Sequence, residues 1–451
     1  MSVVQEFRYL APSTAGAAGV ALQTSGGPCA NPRFFSGFLT TPPAAAAGLL
    51  AVADVARTRY HQPRDPASLD PVVTGSADRL RFESFSGCCG VYARLDILPP
   101  GLDGEVLGHG TTNVDVNPPL REALARIAGL DPLHLSVGPD ALTASTLGGT
   151  IVEKKVPLPA RWLRGFAEVQ VLCAGFDLRA ELPAAEAGAF LRRLPGAGDR
   201  SALWAVPAGR SLRLTSRPAP GAVCLAGAGR LAALRPLLRH GDSLRVYGPP
   251  VAAGSPPVAS AWELRTSALR LTLTLSPEVH RGFSGEGAAL TSLAADEVTD
   301  DAELVGALLG WDPAIDVAAL ADAAALDPRR VRAALAQLGT AGRVGYDVAE
   351  AAYFHRVMPY DAARAERDNP RLVGARTLAE SGAVTFDNPA SAEGVTAATV
   401  RSGTETYRVR VLGDGTTTCT CPWWGRHRGT RGPCKHALAV TIAGSGTGSR
   451  A

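Results

Sequence analysis

The stretch "CTCPWWGRHRGTRGPCKHALAV", residues 419–440, decides how the C-terminal part of this chain folds. Two Cys residues stand two positions apart, and a Cys and a His repeat that spacing after 12 intervening residues. Residues i and i+2 of an extended segment point to the same side, so each pair presents two ligand atoms together. Thiolate and imidazole ligands suit tetrahedral zinc, and no Asp or Glu lies within 419–436 to offer a hard oxygen site. The predicted zinc ligands are Cys419, Cys421, Cys434 and His436.

The residues around this stretch predict the elements that carry the ligands. Tyr407, Val409 and Val411 alternate with polar residues before a Gly413–Asp414–Gly415 turn, which predicts a β-hairpin ending in the first ligand pair. Residues 437–442 read as the start of a helix that carries the second pair. Four protein ligands leave no open position for water, so we expect one structural zinc rather than a catalytic one. His427 is an alternative ligand, but the Cys-x-His pair fits a tetrahedral site better.

The spacer between the ligand pairs is a candidate contact surface. Its side chains include two indoles and several cations, which can stack on bases and contact phosphates or bind a protein. The alternative is that the indoles cover the metal, and we expect one to be buried and one exposed. The candidate contact residues here are Trp423, Trp424, Arg426, Arg428, Arg431 and Lys435.

The pattern C-x-C, spacer, C-x-H within a β-β-α context resembles a SWIM zinc finger, and Pro422 and the "PCKH" sequence also fit. The resemblance implies a module for binding DNA or protein. The layout of the chain is similar to SWIM family proteins of actinobacteria. That similarity implies a protein partner such as an AAA+ ATPase of the MoxR class or a von Willebrand factor A domain protein.

Composition sets broad limits on the class of protein. The 451 residues are 46% hydrophobic and 19% charged with a net charge of +3, so we expect buried cores and no membrane partner. Only three of the 45 basic residues are lysines, and GC-rich codons explain such a bias, so each arginine is weak evidence for phosphate binding. The start "MSVVQEFRYL" lacks the features of a secretory signal, and the eight cysteines indicate thiols or metal ligands. We therefore expect a cytoplasmic protein.

The predicted fold class is α+β and multidomain. The strand-rich α+β N-terminal region is followed by a winged helix-turn-helix-like segment and a ββα zinc finger. The predicted boundaries are 1–65 (a segment with one helix), 66–292 (the strand-rich region, which is either one domain or two subdomains), 296–360 (winged-helix-like), 361–392 (linker), 393–443 (finger) and 444–451 (disordered tail).

The winged-helix-like segment offers a second candidate contact surface. Its third helix is predicted to begin at Pro328 and to carry Arg329, Arg330 and Arg332. From Asp296 to Tyr346, however, nine acidic residues face four arginines, a net charge of −5. A DNA-reading domain is usually basic, so protein contact is the preferred interpretation.

Two weaker patterns lie within the first 290 residues. Residues 201–290 carry ten arginines against four acids, a net charge of +6, which suits either a polyanion-facing surface or ordinary solvated arginines. Cys88 and Cys89, with His109, Asn113 and Asp115, would be the parts of a Cys-dependent hydrolase, but no nucleophile signature surrounds them. We expect a non-enzymatic adaptor that recruits a protein partner; DNA binding is the first alternative and a hydrolase the second.

Overall fold

The computed structural model describes residues 14–16, 19–21, 33–61, 71–76, 78–156, 158, 160–196, 198, 200–290, 298–358, 369–387, 395–412 and 416–448. The predicted turn at Gly413–Asp414–Gly415 lies outside these residues. The chain forms two compact units, one of Met1–Ser284, Gly310–Ile315 and Val344–Pro359, the other of Gly285–Leu309, Asp316–Arg343 and Tyr360–Ala451. Within the described part of the chain, no helix has the length and apolar character that crossing a membrane requires.

The first unit contains four α-helices in its described part. They are α1 (Pro42–Arg57), α2 (Pro118–Arg126), α3 (Ala160–Cys173) and α4 (Ala184–Arg192). Its strands are β1 (Thr14–Gly16), β2 (Gly19–Ala21), β3 (Phe35–Leu39), β4 (Val72–Ser76), β5 (Arg79–Phe85), β6 (Val91–Ile97), β7 (Leu102–Val106), β8 (Gly110–Asn113), β9 (His134–Val137), β10 (Ala141–Thr146), β11 (Gly149–Lys154), β12 (Asp177–Pro183), β13 (Ala202–Ala208), β14 (Ser211–Thr215), β15 (Val223–Ala226), β16 (Ser243–Gly248), β17 (Ser260–Arg265), β18 (Leu269–Leu275), β19 (Val344–Asp347) and β20 (Ala352–His355).

Antiparallel sheets organise the first unit. An eight-stranded sheet has the order β12-β16-β17-β18-β6-β5-β4-β8, a five-stranded sheet the order β11-β10-β9-β3-β7, and a three-stranded sheet the order β14-β13-β15. The alternating sequence of β18 puts Leu271 and Leu273 into the apolar core, where α1 packs on β5 and β6. The predicted α+β character of the strand-rich region, helices together with antiparallel sheets, is confirmed.

The opposite face of the eight-stranded sheet is charged and also buried. Asp347 of β19 accepts hydrogen bonds from Arg94 at 2.8 Å and Arg270 at 2.7 Å. Arg81 forms an ion pair with Asp96 at 3.1 Å, and its guanidinium lies 4.0 Å from the centre of the Phe354 ring. Three arginines hold the pKa of Asp347 far below its usual range despite its burial, which on its own would raise it. The β19–β20 hairpin is therefore fixed on this face by buried ion pairs.

Several predictions for the first unit need correction. The alternating sequence of 168–173 predicts a strand, but this segment ends helix α3. The sequence of 230–239 predicts an α-helix, but this segment lies in a 3-10 helix, Ala228–His240. Arg230 is fully buried there and donates to carbonyl oxygens, including that of Gly90 at 2.9 Å. Local alternation misled the first prediction because tertiary packing overrides propensity. Burial removes Arg230 from any polyanion-facing surface.

The second unit contains the remaining described helices and one sheet. The helices are α5 (Val298–Leu308), α6 (Val317–Ala324), α7 (Pro328–Thr340), α8 (Pro370–Glu380), α9 (Pro422–His427) and α10 (Lys435–Gly448). The strands β21 (Val384–Phe386), β22 (Thr396–Ser402), β23 (Glu405–Val411) and β24 (Thr417–Cys419) form an antiparallel sheet in chain order.

The segment predicted as winged-helix-like is divided between the units. Helices α5, α6 and α7 pack together in the second unit, and the β19–β20 hairpin belongs to the first. Asp316 and Asp327 cap α6 and α7 through their carboxylates, as the predicted helix starts require. The spacing of Leu304 and Leu308 predicts that both face the core, but both are exposed and Val305 is buried instead.

The predicted linker and tail are wrong in their described parts. Residues 361–392 include helix α8, which packs on α10, and strand β21, which pairs with β22. Helix α10 continues to Gly448, into the segment predicted to be disordered. Residues 370–386 look like a loop in the sequence because small and polar residues interrupt the apolar ones, and these apolar side chains find partners only when Leu372 and Ala375 pack with Leu438.

Candidate metal centre

The four predicted ligands lie at the ends of three elements. Cys419 is the last residue of β24, and the cross-strand row Phe386–Ala398–Val409–Cys419 points its side chain to the core side of the sheet. Cys421 is the N-cap of α9, Cys434 directly precedes α10, and His436 is the second residue of α10. The first pair thus lies where β24 ends and the second where α10 begins, as the sequence predicted.

The ligand atoms converge on one buried point. One atom from each of the four side chains lies within 4.8 Å of the others, and all four residues are buried. The Nδ1 atom of His436 lies 3.8 Å from Sγ of Cys419, so this ring nitrogen is within reach of the sulfur cluster. The Tyr407 ring covers the imidazole at a centroid distance of 4.4 Å and was not among the predicted site residues.

Backbone amides support the thiolate form of two ligands. The N–H of Trp424 donates to Sγ of Cys421, and the N–H of Ala437 donates to Sγ of Cys434, both at 3.4 Å. Both sulfurs thus lie at helix N-termini, where the helix dipole favours negative charge. A hydrogen bond from Cys419 lowers the pKa of Cys434 to about 4, and the same contact raises the pKa of Cys419 well above its usual range. Burial raises the pKa of Cys421.

The donor set defines the class of site. Three soft sulfurs and one imidazole, all supplied by the chain, form a closed Cys₃His set of the kind that holds a structural zinc. No acidic side chain stands within residues 419–436, and N–H···S bonds orient two of the sulfurs, so the residues fit the metal. Zinc bound here would cross-link the sheet to both helices.

A known family model matches the part of the chain that carries the metal centre. Residues 407–444 match the family model of the SWIM zinc finger. This stretch of the chain is therefore a SWIM zinc finger with one structural zinc site, as the sequence predicted.

Comparisons of the whole chain add little. No curated protein matches it. Two solved structures resemble part of it: proliferating cellular nuclear antigen from Entamoeba histolytica, with 12% identity, TM-score 0.36 and coverage of 55% of this chain and 99% of that chain, and the PCNA2–PCNA3 complex from Sulfolobus tokodaii, with 7% identity, TM-score 0.37 and coverage of 54% and 99%. At these scores the similarity supports no statement about fold or function.

The spacer tryptophans do not divide into one buried and one exposed ring. Trp423 and Trp424 are both half-buried and both pack against the finger's core. His427 lies against Trp423 at a centroid distance of 4.8 Å and is not part of the ligand cluster. Because α9 is only six residues long, both rings are needed to close the small core.

The predicted spacer cations differ in their availability. Arg426 and Arg428 are exposed, and Arg428 has φ +45° at the C-terminal end of α9. Arg431 donates to the carbonyl oxygen of Gly285 at 2.8 Å, and Lys435 is half-buried. Two of these four cations therefore remain as an open surface.

Arg371 contacts the spacer and was not among the predicted site residues. Its guanidinium donates to the carbonyl oxygens of Arg431 at 2.7 Å and Pro433 at 3.3 Å, and to that of Glu286 at 2.7 Å. It also lies 5.1 Å from the centre of the Trp423 ring. Arg371 thus fixes the spacer directly before Cys434. No sequence signal marks it, because it lies 60 residues before Arg431, in the predicted linker.

The arginines of α7 are also only partly available. Arg330 forms a bidentate pair with Asp301, at 2.8 and 2.6 Å, while Arg329 and Arg332 are exposed. Of the three predicted contact residues on this helix, Arg330 is therefore already bound to another residue of the second unit.

The five residues named for the hydrolase alternative each have contacts of their own. Cys88 and Cys89 are buried in the β5–β6 turn, and burial raises the pKa of Cys89 to about 11. His109 stacks on Trp311 at 6.0 Å, and the amide of Asn113 donates to the carbonyl oxygen of Val156. Asp115 is half-buried in the segment after β8. A thiol with a raised pKa is a poor nucleophile.

Proposed function

We propose that this protein is a non-enzymatic adaptor whose zinc finger recruits a protein partner through the spacer. The observation that carries the proposal is the closed Cys₃His set, in which all four ligands are buried. A closed site organises the residues around it instead of binding a substrate. The residues it organises are the spacer between the two ligand pairs.

The composition of the spacer fits a protein partner. Two half-buried tryptophans lie beside the exposed Arg426 and Arg428. Tryptophan and arginine dominate the energetic centres of protein interfaces, and a rigid backbone reduces the entropy cost of binding. Arg371 supplies that rigidity through three hydrogen bonds. By the actinobacterial resemblance, an AAA+ ATPase or a von Willebrand factor A domain protein is the first partner to test.

The test is affinity purification of the tagged full chain from nuclease-treated lysate, followed by direct binding of the purified candidate. We expect Arg426→Glu/Arg428→Glu to lose the partner while zinc stoichiometry stays at one per chain. A matched control, Arg210→Glu/Arg213→Glu, changes two exposed arginines of the first unit and should retain the partner. Equal retention by both double variants would refute the spacer assignment.

A zinc-ligand variant tests the metal's role separately. Cys434→Ser should lose bound zinc and unfold the finger, because metal binding at such sites is coupled to folding. Stoichiometric zinc in that variant would contradict the ligand set.

For residues 296–360 we infer a winged-helix-like segment that also contacts protein. The packing of α5, α6 and α7, followed in sequence by the β19–β20 hairpin, supports this interpretation. The net charge of −5 favours protein over DNA. Arg329→Glu/Arg332→Glu should weaken partner capture in the same purification if the inference holds, and unchanged capture would refute it.

A further inference from the structure

The first unit has a large cleft in its surface. The volume of the cleft is about 870 Å³, and sites for small ligands commonly measure about 300–1,000 Å³. Its walls come from the end of β3, the start of α1, the loop between α2 and β9, the end of the 3-10 helix and the turn between β17 and β18. All the lining residues belong to the first unit.

Most of the cleft is lined by apolar side chains. They include Leu39, Pro43 and Ile127, together with Phe38 and Leu130. The last two are open to solvent, since Phe38 is 50% exposed and Leu130 is fully exposed. A ligand seated in the cleft would remove both side chains from water, and such burial is the main source of affinity at apolar sites.

Hydrogen bonds fix two of the walls. The N–H of Ala128 donates to the carboxylate of Asp131, and the N–H of Asp131 donates to the carbonyl oxygen of Ala128, both at 3.0 Å. These two bonds close the loop that presents Leu130. In the turn between β17 and β18, the hydroxyl of Thr266 accepts a hydrogen bond from the N–H of Ala268 at 3.1 Å. Fixed walls reduce the entropy that is lost when a ligand binds.

One wall of the cleft carries a cation and an anion, Arg239 and Asp242. Both are exposed, and neither forms an ion pair within the part of the chain that the structure describes. Arg239 donates through Nε to Nε2 of His240 at 3.0 Å. Burial lowers the pKa of His240 and Arg239 lowers it further, so the imidazole is uncharged at neutral pH. The lining of the cleft therefore holds one positive and one negative charge.

Apolar walls combined with two opposite charges favour one class of ligand. A fatty acid or another apolar anion would leave Asp242 without a partner, and an apolar amine would leave Arg239 without one. Nucleic acid would bring phosphate groups against apolar walls and a carboxylate. A free peptide of apolar residues carries a terminal ammonium, a terminal carboxylate and large apolar side chains in one molecule.

We propose that this cleft binds free short peptides of apolar residues. The terminal ammonium lies at Asp242, the terminal carboxylate at Arg239, and the side chains lie against the apolar walls. The hydroxyls of Thr41 and Ser267 also line the cleft and take part in no hydrogen bond among the described residues, so they are available to the peptide amides. The proposal gives the first unit a ligand of its own and does not depend on the adaptor function.

The expected affinity follows from the size of the ligand. At the binding efficiency of drug-sized molecules, a tripeptide binds no more tightly than about 1 µM. An exposed ion pair contributes at most about fivefold to the affinity. Truncating a large apolar side chain at the centre of a contact costs about tenfold.

The experiment is isothermal titration calorimetry of the full-length, zinc-loaded protein with the tripeptide Leu-Phe-Leu. Two further probes separate the contributions: the same tripeptide with an acetylated N-terminus and an amidated C-terminus lacks both charges, and Gly-Gly-Gly keeps the charges but lacks apolar side chains. Two variants remove the protein's side of each contact, Phe38→Ala/Leu130→Ala and Arg239→Gln/Asp242→Asn. The matched control is Leu147→Ala/Val152→Ala, which truncates two exposed apolar side chains of the same unit outside the cleft.

We expect the wild type to bind Leu-Phe-Leu with a dissociation constant of about 1–100 µM and to bind the blocked tripeptide at least about fivefold more weakly. Gly-Gly-Gly should show no binding below about 1 mM. Phe38→Ala/Leu130→Ala should bind Leu-Phe-Leu at least about tenfold more weakly. Arg239→Gln/Asp242→Asn should bind the free and the blocked tripeptide equally, and the control should bind as the wild type does.

Three results would overturn the proposal: no binding of Leu-Phe-Leu by the wild type below about 1 mM, equal binding of the free and blocked tripeptides by the wild type, or an equal loss of affinity in the control and in Phe38→Ala/Leu130→Ala. Equal binding of the blocked tripeptide would assign the cleft to an internal segment of a protein instead of a free peptide. Because all the substituted side chains are exposed, the melting temperatures of the variants should match that of the wild type, which shows that a loss of binding does not reflect unfolding.

Discussion

Replacing Arg371 with alanine tests whether the spacer's rigidity contributes to metal binding. The change removes hydrogen bonds to three carbonyl oxygens and the contact with the Trp423 ring. Arg371 is half-buried and water can replace part of each bond, so we take about 1 kcal/mol for each. The ring contact adds about 0.5 kcal/mol. The finger should lose about 3.5 kcal/mol of stability, which is the sum of these terms.

Coupled folding converts this loss into zinc affinity. If the finger folds as zinc binds, about 3.5 kcal/mol corresponds to an affinity about 300-fold weaker. The assay is competition for zinc between the apoprotein and a chromophoric chelator, with tryptophan fluorescence reporting the fold. Arg371→Lys keeps the charge but bonds fewer carbonyls at once, so it should fall between the wild type and the alanine variant.

The control for this series is Val373→Ala, an exposed position on the same helix. It should bind zinc as the wild type does. An Arg371→Ala protein within about twofold of wild-type affinity would refute the reasoning, because a twofold change is only about 0.4 kcal/mol.

Three further predictions concern other parts of the molecule. Asp347→Ala removes one of the two buried carboxylates, Asp347 and Asp96, that Arg94 and Arg270 share, and it should cost about 3–5 kcal/mol in urea unfolding of the first unit; a cost below about 1 kcal/mol would contradict the assigned role of the ion pairs. Burial raises the pKa of Glu263 from 4.5 to about 7. Between these two pH values the folded protein holds a proton that the unfolded chain has released. The stability of the wild type should therefore fall by up to about 3 kcal/mol as the pH rises from 4.5 to about 7. Glu263→Gln should lack this fall when the free energy of unfolding is measured at pH 5 and pH 8. An equal loss of stability in the wild type and the variant would contradict the role of Glu263. At Gly432, where φ is +73°, an added Cβ would collide with the carbonyl oxygen of Gly287. Gly403 has a similar φ of +68° but open space around it, so Gly432→Ala should lower the melting temperature more than Gly403→Ala. Equal decreases in melting temperature would mean that backbone strain alone matters.

The metal centre was predictable because its information is local. The Cys-x-Cys and Cys-x-His pairs, the alternation through Val409 and the helix after Cys434 each follow from neighbouring residues. The packing around the metal centre was not predictable from the sequence. Arg371 acts from a segment that reads as a linker, and the four-stranded sheet includes β21, whose three residues carry no clear period.

The same contrast holds for the first unit. Period-2 alternation in the sequence indicates strands such as β18. It does not show whether the polar face of such a strand is exposed to solvent or buried. In β18, Arg270 and Thr272 are buried because the charged face of the sheet is itself covered. The partner that makes this favourable is Asp347, distant in sequence, so only the folded chain brings the ion pairs together.

The alternation in β23 has a consequence for how this finger can change over time. Val409 faces the zinc core, and its neighbours Arg408 and Arg410 face away. A single-residue insertion or deletion in this strand would exchange the two sets, bringing guanidinium groups into the metal core. Substitutions can therefore alter the outer face one residue at a time, whereas changes of length are tolerated only in the connections. Among related fingers, we expect length variation to concentrate between the strands and in the spacer, with the register of this strand preserved.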